Sequence, residues 1–87
     1  MQIRSDDVST MLEAVIGGRL ARESAEAWAQ RRVDELDEGR LVFIPAADER
    51  RLLAAIEVLL RVSERDEAGQ FLHSIDALAT FRDQSGL

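Results

Sequence analysis

Apolar residues recur at helical spacing in four places along this chain, with turn-forming residues between them. The densest run is 49–62, where Leu52, Leu53, Ile56, Leu59 and Leu60 form one broad stripe. Ala55, Val58 and Val62 widen it until only Arg50, Glu57 and Arg61 clearly demand water. A helix apolar over that much of its circumference has to be covered on more than one side. The pattern therefore predicts a central helix over 48–62. Asp48 is its expected N-cap, with Pro45 at the first helical position as the alternative start.

Ahead of it, Val8, Met11, Leu12, Val15 and Ile16 follow the i, i+3, i+4, i+7, i+8 pattern, which predicts a helix over 6–16. Ser5 is the expected cap, Asp6 and Asp7 complement the helix dipole, and Gly17-Gly18 supplies the stop. A second helix is expected over 22–38, with Leu20 as a staple before it and Gly39 ending it. Its apolar face is narrow: Ala25, Trp28, Ala29, Val33 and Leu36, with Arg32 among them. Leu41, Val42, Phe43 and Ile44 are four apolar residues in a row closed by Pro45, so this run is read as a short strand or a buried extended connection. The stretch 63–70 is polar and is read as a loop. Ser74 caps a last helix over 75–83.

The fold expected is one all-α domain of four helices spanning 1–87. A minor two-strand pairing between 41–44 and 70–73 is left open as an addition, because an isolated pair is marginal. The expected core is Val8, Met11, Leu12, Val15, Ile16, Trp28, Val33, Leu36, Leu52, Leu53, Ile56, Leu59, Leu60, Ile75 and Leu78.

Composition agrees with a folded helical domain. Hydrophobic residues make up 46% of the chain, too many for disorder, and there are only five Gly and one Pro. Cysteine is absent, which removes disulfides, thiolate metal ligands and a thiol nucleophile. No apolar run is long enough to cross a bilayer and no signal peptide is visible, so a cytoplasmic protein is expected. The net charge of -6 disfavours nucleic acid and anionic membranes and favours a cationic partner. All eleven basic residues are Arg; a GC-rich coding genome explains that more simply than any demand for guanidinium chemistry.

Candidate chemistry is sparse. His73 is the only histidine and lies beside the Ser74 cap, where a structural hydrogen bond is the plain role; a pairing with Asp76 is the catalytic alternative. Glu64, Asp66 and Glu67 lack the spacing of a calcium loop, and Gly17-Gly18 has no preceding strand to make a phosphate loop. No catalytic residue, metal site or cofactor is expected. What stands out is two acidic clusters, Asp34, Glu35, Asp37 and Glu38, then Glu64, Asp66 and Glu67. Each is read either as a solvated surface or as a docking face for a basic protein, where complementary charge speeds association and sets specificity.

Two stretches carry a family resemblance. Gly18-Arg19-Leu20 with Glu23, Ala25 and Trp28-Ala29 fits the pattern G-R-[IL]-x-x-E-x-A-x-x-W-A. Gly69-Gln70-Phe71-Leu72-His73-Ser74, followed by Asp76, fits G-x-[YF]-L-H-S before a final helix. Together they resemble small acidic helical proteins of GC-rich bacteria, some of which accompany toxin genes as immunity proteins. The match covers about half the chain, with Ala21 standing where a Ser or Thr cap is expected and Leu78 where an aromatic is common. The resemblance implies a shaped loop over Gly69–His73 with the adjacent carboxylates as candidates for partner contact. Taken with the charge, the function expected is a non-catalytic protein that neutralises a basic toxin, for example a nuclease, through the two acidic clusters. The alternative is a structural or adaptor protein that pairs with itself or another helical chain through apolar residues around 41–44 and 71–72.

Overall fold

The computed structural model describes all 87 residues. Four helices carry the fold: α1 (Ser5–Ile16), α2 (Arg22–Asp37), α3 (Glu49–Leu60) and α4 (Ile75–Ser85). Two short strands, β1 (Gln2–Ile3) and β2 (Val42–Phe43), and a 3-10 turn (Ala46–Asp48) complete it. The expected domain of four helices is present, with each helix end within a residue or two of its expected place.

The helix ends follow local chemistry, with two departures from the expected caps. Arg4, not Ser5, is the cap residue of α1: the Asp7 carboxylate reaches back to accept the Arg4 N–H at 2.8 Å. Asp48 precedes α3 but does not cap it. Its backbone is helical, at φ -86° and ψ 0°, because the 3-10 turn runs straight into α3. Its carboxylate pairs instead with Arg51 at 3.1 Å. Ser74 does cap, accepting the Ala77 N–H on its hydroxyl at 3.1 Å. Gly18, at φ +72°, reverses the chain after α1 so that the Arg19 and Leu20 N–H groups both reach the Ala14 carbonyl.

A small pairing exists, and 42–43 is one half of it, but its partner is not 70–73. β1 and β2 pair in parallel, Gln2 with Val42 and Ile3 with Phe43. Ile3 and Phe43 turn inward while Gln2 and Val42 face out, as the two-residue period of a strand requires. The 70–73 segment is unavailable because it has folded back on its own loop. Asp66 donates its N–H to the Gln70 carbonyl at 2.7 Å and Leu72 donates to Glu64 at 3.0 Å, around an antiparallel bridge from Arg65 to Phe71.

α3 is the central helix, with α2 along one side and α1 along another. Leu52, Ala55, Ile56 and Leu59 are fully buried. α2 contributes Ala25 and Ala29 to the same core, and these small side chains let its backbone lie close to α3. Trp28, Val33 and Leu36 of α2 pack on the core edge and stay partly exposed. Residues outside the expected core list also enter it: Ile3, Leu41, Phe43 and Val62 are buried, whereas Ile75 is 39% exposed. Ile75 is the first residue of α4, one turn before the buried Leu78, and at the end of the helix it is left largely outside the core.

Candidate surface around helix α2

The acidic clusters are placed by α2 and the loop beside its N-terminus. α2 buries one stripe and exposes another: Glu23, Ala27, Gln30, Asp34 and Asp37 are exposed and fall at i, i+4, i+7, i+11 and i+14, hence on one face. Arg31 and Glu38 flank it. At 1.5 Å per residue, Asp37 stands roughly 20 Å along the axis from Glu23.

The four carboxylates of the first cluster have different surroundings. Glu35 does not face outward. Arg32 Nε lies 2.5 Å from Glu35 Oε1, both side chains are largely buried, and neither of these atoms has another partner. The Arg32 guanidinium also lies over the Trp28 ring at 5.2 Å, so Trp28, Arg32 and Glu35 form a ladder on the inner flank of α2. Glu38 pairs with Arg40. Asp34 accepts one hydrogen bond from the Gln30 amide at 3.0 Å. Asp37 is exposed and unpaired. Between them, Arg31, Arg32 and Arg40 surround a shallow depression of about 270 Å³ with Asp34, Glu35 and Glu38, so this end of α2 is mixed in charge.

The second cluster sits in a braced loop. Asp66 Oδ1 accepts the N–H groups of Ala68 at 2.9 Å and Gln70 at 3.0 Å, and Gly69 turns the chain at φ +81°. Arg65 donates to the Gly69 carbonyl at 2.8 Å and lies over the Phe71 ring at 4.1 Å. Glu64 and Glu67 are left exposed with no side-chain partner.

Arg22, at the start of α2, ties this loop down. Its Nη1 donates to the Val62 carbonyl at 2.8 Å and to the His73 carbonyl at 2.7 Å, the two ends of the loop, and its guanidinium lies 3.8 Å from the Phe71 ring centre. Burial lowers the Arg22 pKa below its usual value; the neighbouring Arg65 charge adds to that and Glu23 opposes it. Ser63 donates its hydroxyl to Glu26, fastening the loop to α2 a second time. The two clusters therefore lie at opposite ends of α2.

Sequence reasoning gathers the carboxylates but misses two things. Glu23 belongs to the exposed stripe, legible as eleven residues before Asp34, while Glu26 is turned toward Ser63. Phe71 sits beneath two guanidinium groups, one from its own loop (Arg65) and one from the start of α2 (Arg22). The apolar residues expected to form a self-association face are also separated: Val42 follows the far end of α2, and Leu72 lies by its start. Each is 53% exposed. His73 is half-buried, and it is its carbonyl, not its ring, that makes the junction hydrogen bond. No three His, Asp or Glu side chains converge to hold a metal.

These features define a small acidic four-helix domain with one carboxylate-rich helix face. No model of a known protein family matches the chain, and neither a curated protein nor a solved structure is significantly similar to it. No helix is long and apolar enough to cross a membrane.

Proposed function

We propose that this chain is a non-catalytic binding protein that docks a basic protein on the outer face of α2 and the loop at its N-terminal end. The observation that carries the reading is the set of exposed carboxylates without an ion-pair partner: Glu23, Asp34 and Asp37 on one helix stripe, and Glu64 and Glu67 in the loop held at the N-terminal end of that helix. Glu35 takes no part, since Arg32 already compensates it, and Asp66 acts indirectly by shaping the loop. The resemblance to toxin-immunity proteins narrows the partner to a basic toxin domain such as a nuclease, whose Arg and Lys side chains would meet these carboxylates instead of phosphates. A braced loop and a helix surface bind without large ordering costs, which favours a tight complex.

The test is binding to the product of the adjacent gene, measured across a salt series. Raising salt is expected to lower the association rate by about tenfold or more. Charge reversal at Asp34 and Asp37, or at Glu64 and Glu67, is expected to do the same at low salt. Absence of binding, or binding indifferent to both reversals, overturns the reading.

A further inference from the structure

The breadth of the apolar stripe on α3 demands cover on several sides, and the fold supplies it on two. α3 and α4 make little direct contact. Between them lies an open cleft of about 620 Å³, with Val58, Leu60 and Phe81 among its lining. Glu57 and Arg61 stand in the same cleft, one helical turn apart; both are exposed and neither has an ion-pair partner in the chain.

We propose that this cleft seats a second copy of the same chain, with the two α3 helices antiparallel about a two-fold axis. Whatever fills the cleft must cover apolar side chains and also answer one acid and one base. A uniformly basic partner would leave Arg61 desolvated and opposed by like charge, and a uniformly acidic one would do so to Glu57. α3 itself, reversed, carries the complement. Glu57 of each copy faces Arg61 of the other, giving two reciprocal ion pairs, and Val58 and Leu60 of each copy meet those of the other. Such self-complementarity is what an isologous contact requires. The monomer also has reason to associate. Its core is fourteen residues, three of them Ala, and no disulfide can add to it, so covering further apolar surface in a dimer would add to its stability. The contact uses α3 and α4, not the acidic face of α2, so it stands independently of the partner reading above.

Sedimentation equilibrium of the full chain tests it. The wild type is expected to show a monomer–dimer equilibrium. Glu57→Arg alone, or Arg61→Glu alone, sets like charges opposite each other at both contacts and is expected to weaken the dimer at least about tenfold. An equal mixture of these two single variants is expected to form a heterodimer, and the double variant Glu57→Arg/Arg61→Glu to recover the homodimer. Both side chains are exposed and unpaired in the monomer, so the variants should fold, which circular dichroism checks. A wild type that stays monomeric up to about 1 mM overturns the proposal, as does a dimer that Glu57→Arg leaves unchanged. Binding of a basic partner by Glu57→Arg is expected to match the wild type, so failure of one reading is distinguishable from failure of the other.

Discussion

Arg22 does the most varied work of any single residue. One guanidinium nitrogen accounts for both carbonyls at the neck of the 63–73 loop, while the plane of the group covers Phe71. Lysine offers a charge but neither the planar stack nor the fixed fork of donors. Arg22→Lys is therefore expected to cost about 1–3 kcal/mol in urea unfolding and to speed amide exchange in the loop. Arg31→Lys, on the exposed side of the same helix, should stay within about 0.5 kcal/mol. Glu35 teaches the converse lesson. In sequence it is one of four neighbouring acids, yet its position three residues after Arg32 and seven after Trp28 turns it to the inner flank, where it is compensated and largely buried.

At the scale of elements, the caps separate what a residue type suggests from what its backbone allows. Ser74 and Asp48 are equally good cap residues by type. Ser74 has the extended backbone of a cap and uses it, whereas Asp48 is already helical and spends its carboxylate on Arg51. Ser74→Ala is expected to cost about 0.5–2 kcal/mol and to fray the first turn of α4, read by amide exchange at Asp76 and Ala77. Asp48→Ala loses only a partly exposed ion pair and should cost less than about 1 kcal/mol. Helix periodicity places all four helices because each is long enough for the 3.6-residue period to repeat. The strand partner of 42–43 is not legible, because two residues at the start of the chain carry no period at all.

For the whole molecule, burial decides which of the apolar residues matter. Ile3 is fully buried although it lies in no periodic segment, because β1 carries it against β2 and into the core. Ile75 sits at helical spacing with Leu78 yet remains 39% exposed. Ile3→Ala is expected to cost about 2–5 kcal/mol and Ile75→Ala less than about 1 kcal/mol, compared by urea unfolding under one set of conditions. The net charge of -6 is likewise uneven in effect. Arg32 and Arg40 compensate two carboxylates at the C-terminal end of α2, while those on its exposed stripe and in the adjoining loop keep their charge available to a partner.

Sequence alone determined the helical class, the four helices, the centrality of α3 and the list of acids, because these follow from local period, cap chemistry and composition. Only the tertiary structure decided which of those acids are free, that the two clusters stand at opposite ends of one helix, that Phe71 lies beneath Arg22 and Arg65, and that one side of α3 stays open. The placement of the two clusters and of Arg22 on Phe71 depends on contacts between residues far apart in the chain, and a local pattern holds no information about which distant side chain will arrive beside it; the pairing of Glu35 and Glu38 is local but depends on rotamers that residue type alone does not fix.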